Sequence, residues 1–394
     1  MTTLKIAISG VGVAGPTLAY WLARAGHEPT LIEVAPKLRT GGYVIDFWGL
    51  GYEVARRMGI ETTIQQLGYH VQSFRSVTSD GHTRATLDTA GFHRVTKDKF
   101  TSLPRGDLAA TIYATIGGEV ETVFGDSITA VTEHEDGVCL SFLNGPTREF
   151  DLIVGADGLH SNVRRLVFGR DTNVEHYLGC MVAAAVVDGY QPRNDLVYMT
   201  YSAPGHSVGR FALRGDHTML LFIFRSGRPF VPDTHHERIA LLQREFGGLG
   251  WECPDMIDAL GHVDDLYFDT VSQVRLDRWS QGRTVLVGDA AACISLLGGE
   301  GTGLAMTEAY ILAGELVTHG DYRHAFPAYE ARLRRFIARK QASARRYLSV
   351  FATKTAPGIA FRDFAMRVMN SARGTDRLLA RGFSDDMDLP EYPM

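Results

Sequence analysis

The chain has 394 residues, with 22% charged and 45% hydrophobic side chains and a formal net charge of −5. That balance excludes a disordered or fibrous chain, and with no long basic block it argues against nucleic acid as the main partner. Cys139, Cys180, Cys253 and Cys293 are scattered without CxxC spacing, so neither a disulfide framework nor a zinc site is suggested.

At this length the chain reads as two closely packed domains, or one with a large insertion. The first strand begins at about Leu4, which leaves no room for a signal peptide, and no apolar run reaches the length of a membrane span; the cytoplasm is the expected compartment. Ile6 to Ser9 is apolar and runs straight into Gly10-Val11-Gly12-Val13-Ala14-Gly15, a GxGxxG turn. Gly10 permits the tight turn, Gly12 lets backbone approach a pyrophosphate, and Gly15 lets the next helix pack on the strand. That helix, with Leu18, Ala19, Leu22 and Ala25 on its apolar face, starts near Pro16 and points its free N–H groups at the phosphates. A second strand, Pro29 to Glu33, ends in an acid 21 residues after Gly12, where a ribose-binding carboxylate belongs.

The segment from Lys37 to Asp46, with Arg39 and the pair Gly41-Gly42, reads either as a surface connection or as a loop carrying backbone past a cofactor, with Arg39 near its phosphates or ring. Gly51 to Met58 reads as a helix. From about Val71 to Phe100 short alternating segments around Asp80-Gly81 give a hairpin signature, a first excursion into a second sheet. Arg105 stands at the start of a helix through Ile116, within reach of an anionic phosphate. Glu119 to Phe124, Ser127 to Glu133 and Val138 to Leu143 read as a small antiparallel crossover. Asp151 to Gly158 is another buried strand, ending in Gly155-Ala156-Asp157-Gly158, and Ser161 is a candidate helix cap before Arg164.

Met181 to Val187, Leu196 to Tyr201, Val208 to Leu213 and Thr218 to Phe224 are strands, followed by a helix from His235 to Phe246. An antiparallel sheet with a helix, inserted in a nucleotide fold, builds a substrate chamber. Met199, Tyr201, Phe211, Phe222 and Phe224 supply its apolar lining in one reading and plain core in the other, because strands alternate faces. His206, Arg210 and Arg225 are candidate polar contacts to substrate. Arg283 to Ala291 makes a third buried strand that stops at Asp289. A glycine-rich loop through Gly303 follows, then a helix from Leu304 to about Thr318. Tyr322 to Asn370 is nearly all helical, interrupted at Pro357-Gly358.

Three strands that each end at glycine and a polar group form a specific pattern, and here the sequence resembles the class A flavoprotein monooxygenases built on the p-hydroxybenzoate hydroxylase fold. It is most similar to their branch of tetracycline-inactivating monooxygenases and aromatic polyketide hydroxylases. The carrying residues are Gly10 to Gly15; Gly155-Ala156-Asp157-Gly158 with Ser161 and Arg164; and Gly288-Asp289-Ala290-Ala291 with Gly299-Glu300-Gly301. The resemblance covers roughly residues 4 to 350.

It implies an α/β fold: a discontinuous Rossmann-type FAD-binding domain (1–70, 101–178 and 269–340), an inserted antiparallel β-sheet substrate domain (71–100 and 179–268) and a C-terminal helical segment (341–394). It also implies resident FAD, reduced by NADPH or NADH. Glu33 would hold the adenosine ribose, Arg105 and Asp289 the pyrophosphate and ribityl region, and Asp157-Gly158 would meet both the flavin and the passing nicotinamide. Asp46 would lie close to the ring. Gly301 and Thr302 would aim backbone N–H groups at the flavin pyrimidine edge, where a helix N-terminus stabilises the anionic reduced flavin.

In such enzymes a flavin C4a-hydroperoxide, formed with molecular oxygen, hydroxylates an electron-rich aromatic or enolic carbon, so no catalytic side-chain nucleophile and no metal are expected. A small aromatic or polycyclic substrate and a monomer or weak homodimer are implied. The chain departs from the family in its loop after Asp289, Ala292-Cys293-Ile294-Ser295-Leu296-Leu297, which lacks the usual prolines. Two flavoenzyme alternatives are a halogenase, whose paired-tryptophan motif is missing, and a prenyl-reductase-type enzyme. A ligand-sequestering flavoprotein is the non-enzymatic one.

Overall fold

The computed structural model describes residues 2–39, 43–169, 174–263, 265–371, 385 and 387–394. The pair Gly41-Gly42 lies outside the described residues.

A six-stranded sheet runs in the order Ser280–Gln281, Thr284–Leu286, Leu152–Gly155, Lys5–Ser9, Glu28–Glu33 and Glu121–Phe124. Its pairs are parallel except the hairpin Ser280–Gln281 with Thr284–Leu286. Continuous apolar runs such as Ile6-Ala7-Ile8 and Leu152-Ile153-Val154 make these strands, because parallel strands are covered on both faces. The helices Ala14–Arg24 and Gly301–His319 pack against each other, with Trp21 and Tyr310 in edge contact at 5.0 Å. The Gly301–His319 helix is buried from Leu304 to Val317, which is why its sequence is apolar nearly all round.

A seven-stranded sheet follows the order Tyr267–Val274, Glu175–Asp188, His217–Arg225, His206–Ala212, Val197–Ala203, Ser73–Val77 and Thr83–Asp88. Only Val197–Ala203 with Ser73–Val77 is a parallel pair. One face is sealed by the helices His235–Phe246 and Cys253–Leu260 around Leu242, Phe246 and Met256. The opposite face meets the nucleotide-binding part: the Val44 N–H reaches Met219 Sδ at 3.1 Å, and Leu297 packs with Val182, Ile223 and Val271.

Four elements differ from the sequence reading. Glu121–Phe124 joins the parallel sheet beside Glu28–Glu33, while a three-stranded antiparallel sheet forms from Ile128–Glu133, Val138–Phe142 and Arg148–Phe150; strand propensity does not say which sheet a strand will join. Ala90–Thr96 is a short helix inside the stretch read as hairpin, and Cys253–Leu260 is a helix that the reading lacked. The helical stretch breaks at residues 352–355, just ahead of the expected Pro357-Gly358, and Pro357 sits in the first turn of the Ala356–Ser371 helix, as proline can.

The chain end is not helical either. Residues 387–394 return across the first sheet's helices, where Pro390 O accepts from Arg57 and Tyr310 at 2.9 Å each, and Tyr392 donates to Glu315 at 2.6 Å. Gly314 leaves the room that the Tyr392 ring fills.

Candidate active site

The three strand ends stand side by side, with Ser9 in register with Gly155 and Ile32, and Gly155 with Leu286. Their glycines are not equivalent. A side chain on Gly10, at φ +110°, would collide with the Ala156 carbonyl, and one on Gly15 with the Gly10 carbonyl. These two are packing glycines. A Cβ on Gly12 would find only the Arg105 guanidinium, at 3.7 Å. Gly12 therefore opens onto a space bounded by a cation, and that guanidinium has no partner among the described residues. An unpaired arginine over bare backbone, beside the free N–H groups of Val13 and Ala14 at a helix start, fits a pyrophosphate.

Glu33 ends its strand with one carboxylate oxygen accepting from the Val11 N–H at 2.9 Å and the other from the Ala35 N–H at 2.9 Å. Arg39, mostly exposed, donates to Glu33 at 3.2 Å. Arg39 therefore lies beside Glu33, at the end of the Glu28–Glu33 strand.

At the second strand end Asp157 accepts from Ser161 Oγ and from the N–H groups of Asn162 at 2.8 Å and Val163 at 3.0 Å. Burial pushes its carboxyl up, against those hydrogen bonds. Its oxygens are occupied in capping the Asn162–Phe168 helix, which leaves Gly158, at φ +81° with open space around it, as the accessible member of the pair. Ser161 caps the same helix, accepting from the Arg164 N–H at 3.0 Å. Arg164, buried, joins the second and third strand ends by donating to Leu159 O at 2.6 Å and Ala290 O at 3.0 Å, and it pairs with Glu175 at 2.6 Å.

Asp289 follows Gly288 and begins the short helix Asp289–Ala292; its Oδ1 lies 3.8 Å from the Cβ position of Gly301. The Gly301–His319 helix starts one turn earlier than its apolar pattern indicated, so Gly301 and Thr302 are its first residues and their N–H groups are free of helical partners. Tyr43 sits beside Arg105 and Asp289, 5.6 Å from Tyr267 ring to ring, and burial pushes its phenol up to about 12. Asp46 pairs with Ser102 across a two-stranded antiparallel ribbon, Val44–Trp48 with Phe100–Pro104, and accepts its hydroxyl; burial raises the Asp46 carboxyl, and Tyr198 lies near enough to feel its charge.

The loop after Asp289 is held without proline. Gln341 donates to Cys293 O at 3.1 Å, Gln273 donates to Ile294 O at 2.9 Å, and Ser295 takes φ +102° before a short 3-10 turn.

The expected apolar lining is largely corrected by strand alternation. Met199, Tyr201, Phe222 and Phe224 lie on the far face, buried under the two covering helices, with Phe222 and Phe224 5.1 and 5.9 Å from Phe246. Arg210 is buried there too, paired with Glu252 at 2.7 Å, and is a structural cation. His206 pairs with Glu245 at 3.3 Å, and Arg225 donates to Ala352 O at 2.7 Å.

Phe211 is on the near face but fully buried against Tyr69 and Tyr198. Among the half-exposed residues of that near face are Phe74, Tyr198, Thr200 and Leu221. Phe74, Tyr198 and Phe211 form a stacked ladder, at 5.3 and 4.4 Å with interplanar angles of 14° and 16°. Tyr43, Tyr198, Tyr267 and Phe74 were missed because each is one residue of a short alternating strand or loop, and only the pairing register tells its face.

One ionic cluster ties the sheets together beside the site. His160, two residues after Gly158, reaches Asp269 at 3.1 Å and Glu175 at 3.3 Å. Hydrogen bonds to these carboxylates, Asp269 first, raise its imidazole from 6.5 to about 10. The pairing therefore stabilises fully below about pH 6.5 and fades as pH rises through about 10. The ring is more than half exposed, so solvent screening keeps the contribution small. His160→Gln is expected to lower the melting temperature by about 2 °C at neutral pH and by nothing measurable near pH 10.5. Melting curves of the two proteins across that range check the sign.

The comparisons with known proteins agree with this geometry. A family model described as an FAD binding domain matches residues 3–324. An uncharacterized protein of Mycobacterium tuberculosis is 37% identical over 348 residues, covering 85% of this chain and 91% of that one. A flavin-dependent monooxygenase of Legionella longbeachae is 34% identical over 352 residues, covering 86% and 87%. The crystal structure of tetracycline destructase Tet(55) superposes with a TM-score of 0.85 at 30% identity, covering 99% of each chain. With the open Gly12, Arg105 beside it and the three aligned strand ends, these matches establish that the chain belongs to the FAD-binding family of class A flavin monooxygenases.

Proposed function

We propose that this FAD-dependent monooxygenase hydroxylates a planar aromatic or polycyclic, enolic small molecule, with NADPH or NADH as electron donor. The observation that carries the reading is the half-exposed edge of the Phe74–Tyr198 stack on the sheet face turned toward the nucleotide-binding part. Flat rings stack on flat rings at such a surface. Structural similarity to a tetracycline destructase over the whole chain supports a polycyclic substrate.

In this reading Glu33 takes the adenosine ribose. Arg105 and the turn at Gly12 take the pyrophosphate, Asp289 the ribityl chain, and the first N–H groups of the Gly301–His319 helix the pyrimidine edge. When bound and reduced, the flavin supplies activated oxygen: one atom goes to the substrate carbon and the other leaves as water, as NAD(P)H is oxidised. The chain's own part is to bind, to orient and to exclude water. Tyr198, Phe74 and Leu221 hold the ring. Tyr43 and Tyr267, whose phenols are neutral at pH 7 and are pushed further up by burial, bound the site as neutral hydrogen-bonding groups.

The test is oxidation of NADPH and of NADH by FAD-loaded protein over a panel of phenols, naphthacenes and tetracyclines, with product mass scored. Substrate-stimulated oxidation with gain of one oxygen is the expected result. Nicotinamide oxidation that never consumes oxygen with any substrate would move the assignment to a reductase.

A further inference from the structure

Glu308 lies in the middle of the Gly301–His319 helix, almost fully buried, and has no ion-pair partner among the described residues. Its Oε2 accepts the Gly288 N–H at 2.6 Å. The Tyr329 hydroxyl, from the Tyr322–Phe351 helix, lies 3.3 Å from the same oxygen and donates to Leu286 O at 3.2 Å. Gly288 itself is at φ +64° and ψ −142°, a conformation that side chains avoid, and is wedged between Ala14 and Ala305, whose Cβ atoms stand 3.3 and 3.4 Å from where its own would be. Its N–H therefore points into the protein, and Glu308 is the group that receives it.

We propose that Glu308 is a positioning residue for the cofactor: through Gly288 it fixes Asp289 relative to the N-terminus of its own helix, without touching the flavin. The proposal rests on the assignment of Asp289 to the ribityl region. One helix then carries both elements of the grip, its first N–H groups at the pyrimidine edge and, two turns on, the carboxyl that sets the Asp289 turn. The two parts of the cofactor site cannot shift independently while that hydrogen bond holds.

The environment also gives Glu308 a charge state. The ionisable groups facing it are Asp289 from the short helix and Tyr329 from the long one, and burial raises its carboxyl from 4.5 to about 8, with Asp289 adding to the rise. It is thus mostly neutral at pH 7. Deprotonation places a second anion beside Asp289 and near the pyrophosphate, so cofactor affinity falls as pH rises through about 8.

The experiment is FAD binding to apoprotein, read by quenching of flavin fluorescence from pH 6.5 to about 9, with a melting curve for each variant. The parent is expected to weaken about fivefold across the range. Glu308→Gln keeps a neutral acceptor for the Gly288 N–H; it is expected to bind within about threefold of the parent at pH 7 and to lose the pH dependence. Glu308→Ala leaves that N–H unpaired and is expected to weaken FAD roughly tenfold at every pH. A Gln variant with the parent's pH profile, or an Ala variant that binds FAD as tightly as the parent, overturns the proposal. Asp289→Asn separates the two layers. If it binds FAD like the parent, the assignment of Asp289 fails and the proposal with it; if it loses FAD while both Glu308 variants keep parental affinity and profile, only the role of Glu308 fails.

Discussion

Gly12→Val is expected to give a folded protein that binds FAD about 100-fold more weakly than the parent. A Cβ at this position meets only the flexible end of Arg105, so the first atom of the new side chain displaces nothing in the apoprotein. It does fill the space where backbone and pyrophosphate must touch, and overpacking of that kind costs up to about 3 kcal/mol, the equivalent of that loss. Gly15→Ala is the informative contrast. Its methyl collides with the Gly10 carbonyl inside the strand-to-helix packing, so the expected loss there is stability, about 3 kcal/mol, before any question of cofactor arises. Melting curves and flavin titration of both variants separate the two outcomes. A Gly12→Val protein that purifies yellow and binds FAD normally would remove the phosphate site from this turn.

Tyr198→Leu is expected to raise KM for an accepted substrate about tenfold, with a small change in melting temperature. Tyr201→Leu, three positions along the same strand, is expected to do the opposite: KM unchanged and stability lowered by about 2 kcal/mol. The difference lies in the face. Tyr198 is half-exposed beside Phe74 on the near side of the sheet, whereas Tyr201 is buried under the covering helices near Trp251, 6.4 Å ring to ring. Steady-state kinetics on the first compound turned over, together with thermal melts, check the pair. Equal KM for both variants would mean that the substrate does not sit on this face.

The cofactor half of the molecule was legible in the sequence because its signals are local. An apolar strand, a glycine and an acid within a few residues identify a strand end; Gly155 to Gly158 and Gly288-Asp289 each carry all three, while the turn from Gly10 to Gly15 has its acid, Glu33, at the end of the next strand. What was not legible depends on pairing. Alternation divides Val197–Ala203 into two faces but does not say which looks toward the nucleotide-binding part, and it is Tyr198, not Tyr201, that lies on that face. Arg210 read as a substrate contact for want of its partner, Glu252, which lies 42 residues further on. Glu308 carried no signal at all, since an acid within an apolar helix reveals its purpose only when the Gly288 N–H is placed against it. The missing prolines after Asp289 likewise made the loop's shape uncertain until Gln273 and Gln341 supplied the contacts that hold it.

The proposed reaction transfers one oxygen atom from dioxygen to a planar substrate. The most direct measurement is a turnover of FAD-loaded protein with NADPH and the best compound of the aromatic and polycyclic panel under heavy-isotope dioxygen, followed by mass spectrometry of the product. One labelled oxygen atom in the product, with nicotinamide consumed in equal amount, is the predicted result. Product that carries only unlabelled oxygen drawn from water, or that gains hydrogen in place of oxygen, would contradict it.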